Sequence, residues 1–227
     1  MNGQEIKATL AAQFSFWPQL KESEREFLCA YASPIKYLRG QTLHNGSADC
    51  TGVLLVQKGR LRTYILSDEG RVITLYRLDA GEICILSASC VLEAITFDVF
   101  IEAEEDTEVL LINQAAFKKL AEENIYVRCF GYELATSRFS EVMWTLQQIL
   151  FWGVDKRLAL FLWQESQKAP SNTLYLTQEQ IASNIGSARE VVSRMLKYFV
   201  TEGIVTSSRG GIKILDKEKL RALLPKN

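Results

Sequence analysis

The sequence predicts an α+β fold with an antiparallel β-sandwich or barrel in the N-terminal half, one long helix, and a small C-terminal helix-turn-helix with a β-wing. Three observations carry this. Short β-type runs recur between residues 35 and 113; a helical stretch free of proline follows them; and two helix-start signals stand ten residues apart from Thr177 onward.

Residues 4–33 read as helical, with Leu20, Phe27, Leu28 and Tyr31 on an apolar face. The β-type runs are then 53–56, 61–66, 72–78, 99–103 and 109–112, and Gly59, Gly70 and Gly81 fall in the turns between them at regular spacing. From residue 125 to 152 the pattern is helical, weakened only by Gly131. Val127, Phe130, Leu134, Val142, Leu146 and Ile149 recur along it as an apolar stripe. That stripe is longer than a small domain needs, so these six residues are the expected seam of a two-stranded helical dimer. Gly153 interrupts, as a candidate hinge. The expected organisation is therefore a β domain over 1–124, a dimerisation helix over 125–152 and a reader domain over 153–227.

Composition bounds the function. The chain has 227 residues, 48% of them hydrophobic and 23% charged, the balance of an ordinary globular protein. No apolar run approaches the ~20 residues of a membrane span, and the N-terminus lacks the layout of a signal peptide, so a cytoplasmic protein without membrane contact is expected. The formal charge of −1 conceals an asymmetry: residues 1–154 hold 14 Lys/Arg against 20 Asp/Glu, whereas residues 155–227 hold 12 against 7. A basic C-terminal third suits a polyanion, because neutralised phosphates supply most non-specific affinity for nucleic acid. Cys29, Cys50, Cys84, Cys90 and Cys129 are scattered without a C-x-x-C pair, which speaks for reduced thiols and against a zinc site or a disulfide framework.

The stretch from Leu176 to Lys197 is the most informative. Thr177 with Gln180, and Ser187 with Glu190, have the spacing of capping boxes. Ile181, Ile185, Val192 and Leu196 supply a shared core, Ala182 allows close approach, and Gly186 can adopt the left-handed turn. Arg189, Glu190, Ser193, Arg194 and Lys197 are left on the opposite face of the second helix. Their chemistry fits the major groove: Arg to guanine, Glu to cytosine, Ser to a base edge or phosphate, Lys to phosphate. Residues 204–207 and 212–215, joined by Ser208-Arg209-Gly210-Gly211, read as the wing. Glu190 has a competing role, since its capping bond near Ser187 would hold it back from DNA.

The chain resembles the CRP/FNR family of bacterial transcription regulators. The resemblance rests on Lys58-Gly59-Arg60-Leu61, Gly70 in a hairpin, Asp79-Ala80-Gly81-Glu82, the long helix, Asp155-Lys156-Arg157-Leu158-Ala159 and Ser187-Ala188-Arg189-Glu190-Val191-Val192-Ser193-Arg194, and it runs from about Phe16 to Leu223. It implies a jelly-roll-like β-roll sensor, a dimerisation helix and a winged helix-turn-helix. It also implies a homodimer on pseudo-palindromic double-stranded DNA and RNA polymerase as a further partner. DNA contacts are implied at Thr177, Ser187, Arg189, Glu190, Ser193, Arg194, Lys197 and Arg209. Ser193 is similar to the FNR branch, which implies TTGAT-like half-sites.

The effector is less legible. Members responsive to cyclic AMP grip its phosphate with an Arg-Ser pair, and the corresponding positions here are Phe97 and Asp98. A carboxylate repels a phosphate. The polar pair that meets adenine is replaced by Val142 and Met143, so an effector other than cyclic AMP is expected. The pocket position is filled by Gly81, Glu82, Ile83, Cys84, Ser87, Ser89 and Cys90, which suit a small, mostly apolar ligand, while Glu82 serves equally well as a turn residue. Cys84 and Cys90 as a redox pair, and haem on His44, are the alternatives; free cysteines are more often buried apolar groups, and His44 is expected at the surface. Residues 1–28 lack the cysteines an iron–sulfur cluster needs. The resident cofactor is left unknown and no metal site is expected. A cupin-type enzyme needs clustered His ligands, and the chain has one His. A ligand-binding β-roll that does not act on DNA is the remaining rival.

Overall fold

The computed structural model describes residues 1–46, 51–85, 99–169, 171–208 and 211–224. They divide into two compact units, residues 1–66 with 75–142, and residues 67–74 with 143–227.

The N-terminal helical stretch is two helices, α1 (Gly3–Gln13) and α2 (Glu22–Ala30), separated by a 3-10 turn over Trp17–Gln19. Pro18 explains the break, because it cannot donate within a helix. α1 starts on a reciprocal cap, Asn2 Oδ1 accepting from the Glu5 amide at 2.9 Å and Glu5 Oε2 from the Asn2 amide at 2.8 Å, whereas at α2 only Glu24 reaches back, its Oε2 accepting from the Lys21 amide at 2.6 Å.

The strands that follow are β1 (Ala32–Tyr37), β2 (Thr42–Asn45), β3 (Val53–Lys58), β4 (Leu61–Leu66), β5 (Val72–Leu78), β6 (Ile83–Cys84), β7 (Phe100–Ala103) and β8 (Thr107–Ile112). They form two four-stranded sheets of order β1-β8-β3-β6 and β2-β7-β4-β5. Neighbours come from distant parts of the sequence, as in a jelly roll. All five expected runs are strands, while β1, β2 and β6 escaped the sequence. The first of these is an edge strand containing Pro34, where a missing amide is tolerated and β propensity is weak.

Alternation sorts β3 between two cores. Val53 and Leu55 pack with Leu10, Phe14, Phe16 and Leu28 of the helical layer, whereas Leu54 and Val56 face Leu61, Leu78 and Ile101 between the sheets. Both faces of this central strand are therefore buried, which is why its residues form an unbroken apolar run. Gly59 turns the chain from β3 into β4 at φ +87°, and a Cβ there would stand 2.6 Å from the Asp106 carbonyl oxygen. His44 departs from expectation: it lies on β2, its ring is buried, and Nδ1 is 3.2 Å from Thr51 Oγ1.

Asn113 caps α3 (Gln114–Glu123), and α4 (Ile125–Phe151) is the long helix, ending one residue short of its expected limit. Gly153 then caps α5 (Val154–Lys168), followed by β9 (Thr173–Leu174), α6 (Gln178–Ile185), α7 (Arg189–Thr201), β10 (Val205–Ser208), β11 (Gly211–Ile214) and α8 (Lys217–Ala222). The C-terminal core gathers Leu158, Leu162, Ile181, Ile185, Val192, Leu196, Phe199 and Ile212. The wing is a three-stranded sheet of order β10-β11-β9, in which β9 is the strand the sequence reading missed.

Candidate nucleic-acid interface and effector pocket

Helices α6 and α7 are set by their termini. Thr177 Oγ1 accepts from the Gln180 amide at 3.1 Å while the Gln180 side chain accepts from the Thr177 amide at 2.8 Å, so the first capping box is formed. The second is absent. The chain caps α7 with Ala188 and no side chain, and the Ser187 amide instead donates to the Ala182 carbonyl, as the Gly186 amide also does. Closing α6 takes the amide that a cap on Ser187 would have needed to leave in place, which is the physical reason the spacing misled. Gly186 provides this closure at φ +60° and ψ +49°.

Loss of that cap frees Glu190. Val192, Leu196 and Phe199 bury one face of α7, while Arg189, Glu190, Arg194 and Lys197 are exposed and Ser193 is half-buried beside them. Glu190 and Arg194 stand one turn apart, and among the described residues neither forms a side-chain hydrogen bond or ion pair. Thr177 is exposed at the start of α6 and Ser187 half-buried at the turn. Arg209 falls outside the described residues, but the strands flanking it pair as expected, Val205 with Ile214 and Ser208 with Gly211.

The turn is also held from outside α6 and α7. Arg157 Nη1, from the first turn of α5, donates to the carbonyls of Ile185 and of Gly186, the latter at 3.1 Å. Burial lowers the Arg157 pKa from its ordinary value.

In the N-terminal unit, the expected pocket residues separate. Glu82 is occupied by the fold: Oε2 accepts from the Asp79 amide at 2.7 Å and Oε1 is 3.4 Å from Arg138 Nη2. Its structural role in the turn is thus the one observed. Ile83 and Cys84 are buried on β6, and Gly81 turns into that strand. Val142 packs against the inter-sheet core, but Met143 is exposed. Ser87, Ser89, Cys90, Phe97 and Asp98 lie outside the described residues.

Arg138 is the residue sequence reasoning missed. It is 6% exposed, pairs with Glu141 at 2.6 Å and stands 5.1 Å from the Tyr76 ring centroid. Burial raises the Glu141 pKa against the opposing pull of Arg138, and pushes the Tyr76 phenol well up. Among the described residues, the hydroxyls of Tyr76 and Thr63 and Arg138 Nε are buried with no well-formed hydrogen bond. One signal was present: a lone cation inside the apolar stripe of the long helix.

That stripe also needed dividing. Val127 is fully buried in the N-terminal core, Phe130 packs edge-on against Phe14 and Phe16, and Leu134 and Val142 lie against the cores of their own chain. Ile149 is packed at the α6–α7 turn, where a Cβ on Gly186 would come within 2.9 Å of it. Five of the six expected seam residues are therefore engaged within the protomer, and only Leu146 is open. The exposed stripe runs instead through Ile125, Cys129, Tyr132, Thr136, Phe139, Met143, Leu146 and Leu150, alternating steps of four and three. A helix with apolar residues on two faces offers two stripes, and periodicity alone does not rank them.

Comparison with known proteins agrees with both units. Residues 34–124 match a cyclic nucleotide-binding domain and residues 156–223 a Crp-like helix-turn-helix domain. A crystal structure described as a transcriptional regulator of the CRP/FNR family from Eubacterium rectale is 45% identical, with a TM-score of 0.91, covering 93% of this chain and 98% of that one. The transcriptional activator protein FnrA of Stutzerimonas stutzeri is 27% identical, over 84% of this chain and 79% of the relative. The cAMP-activated global transcriptional regulator Vfr of Pseudomonas aeruginosa is 23% identical, over 83% and 91%.

Proposed function

This chain belongs to the CRP/FNR family of transcriptional regulators, and from that premise we propose that it acts as a cytoplasmic homodimer that reads pseudo-palindromic DNA with α7 under control of an effector other than cyclic AMP. The observation that carries the reading is the exposed face of α7, where Glu190 and Arg194 stand one turn apart and uncommitted. Arg194 takes a guanine and Glu190 a cytosine, while Ser193 favours TTGAT-like half-sites. RNA polymerase is the further partner through which such a regulator acts. The expected result of selection from random duplexes is recovery of TTGAT-type palindromes with half-sites about one helical turn apart. Recovery of unrelated motifs would overturn the assignment.

Dimerisation is assigned to the exposed stripe of α4. In a parallel pair each seam position meets its own copy, so Leu146→Glu places like charges face to face and is expected to give monomers in sedimentation. Cys129, exposed on the same stripe, is expected to form a covalent dimer under mild oxidation. A Leu146→Glu protein that stays dimeric would move the interface elsewhere.

Support for a different effector comes from Val142 in the inter-sheet core and from Arg138, whose charge is already shared between Glu82 and Glu141. The buried hydroxyls of Thr63 and Tyr76 suit a small ligand with a few polar groups. Calorimetry with cyclic AMP is expected to show no binding, and micromolar affinity would refute the reading.

A further inference from the structure

The turn between α6 and α7 is fastened by two residues outside the helix-turn-helix. Ile185 and Gly186 present carbonyls at the end of α6, where no helical amide remains to bond them. In an isolated helical pair such groups go to water. Here a single guanidinium nitrogen of Arg157 bridges both. Ile149, from the last two turns of α4, occupies the space beside Gly186, with Cδ1 2.9 Å and Cγ1 3.0 Å from where a Cβ would be. Glycine at 186 is thus required twice, for its left-handed backbone and for the room that Ile149 uses.

We infer that Arg157 and Ile149 are positioning residues for DNA recognition, a latch that fixes α7 relative to α5 and to the last turns of α4, which belong to the same compact unit. The cationic end of Arg157 also faces the negative pole of α6, where a positive charge is favoured. Hydrophobic packing among Ile181, Val192 and Leu196 determines that α6 and α7 cross, but apolar contacts are non-directional and tolerate small rotations. Two fixed carbonyls on one guanidinium do not. The consequence appears in the spacing of half-sites: with Leu146 and Leu150, in the last turns of α4, part of the proposed dimer seam, the angle between those turns and α7 determines how far apart the two recognition helices stand. The inference rests on the dimeric DNA-reading function proposed above.

The test measures the affinity of the full-length dimer for the selected palindrome and for versions with one base pair added to or removed from the centre. The wild type is expected to prefer one spacing by about tenfold or more, the scale of one lost base contact. Arg157→Gln and Ile149→Ala are expected to bring the three spacings within about threefold of one another, while preference for the correct half-site bases persists because Arg194 is untouched. Arg157→Lys, which keeps a cation at the carbonyls, is expected to restore part of the preference. Dimers of either variant that keep the full wild-type spacing profile would overturn the latch. If Arg157→Gln fails to fold, Ile149→Ala decides alone. A wild type that binds single half-sites as tightly as palindromes would instead defeat the dimeric reading, and the latch with it.

Discussion

Arg194→Ala is expected to abolish selection of the target sequence while leaving a folded dimer. Its side chain is exposed, and among the described residues it has no partner within the chain, so nothing in the fold depends on it. What it loses is a bidentate contact to guanine, worth about 1–3 kcal/mol in each half-site. Both subunits lose it together, so specific affinity should fall by about 30-fold at the least. Non-specific affinity, carried by phosphates, should change far less. Lys197→Ala provides the contrast: as a phosphate contact it should weaken all sequences alike and lower the salt slope by about one for each subunit. Gel-shift competition between target and scrambled duplexes separates the two outcomes. An Arg194→Ala protein with unchanged selectivity would remove α7 from the recognition role.

Phe199→Ala should have the largest effect on stability. The ring is fully buried on the inner face of α7, within the core that also holds Leu158, Leu162, Ile181 and Val192. Truncating a buried Phe costs about 3–5 kcal/mol, from lost burial together with the cavity left behind. That is a large share of the ~5–15 kcal/mol that stabilises a domain, and a unit this small has little core to spare. The C-terminal unit is expected to melt roughly 15 °C lower or more, with DNA binding lost, while the jelly roll and its own cores melt where they did. Calorimetry of the two transitions checks this. A common shift of both would show that the units unfold as one.

Much of the molecule was legible from the chain alone, because its signals are local. The β-type runs 61–66 and 72–78 with glycine turns around them, the Thr177 capping box, the glycine at 186 and the charge contrast between the two parts depend only on neighbours in sequence. From these follow the α+β class, the order of the parts and the exposed face of α7. Three of the failures were of one kind. The second capping box had the right spacing, yet the amide of Ser187 is drawn to Ala182 in closing the preceding helix. The long helix had a convincing apolar stripe, but Val127 and Phe130 spend it on their own core and leave Tyr132, Phe139 and Leu150 outside. Arg138 was not singled out by the sequence reading, and it is buried against Glu82, Glu141 and Tyr76, residues brought to it by strands and a turn more than fifty positions away or by the next helical turn. Sequence determined which residues can form a helix, a strand or a cap; tertiary structure decided which of two competing partners each group takes, because that choice depends on burial and distance between segments remote along the chain.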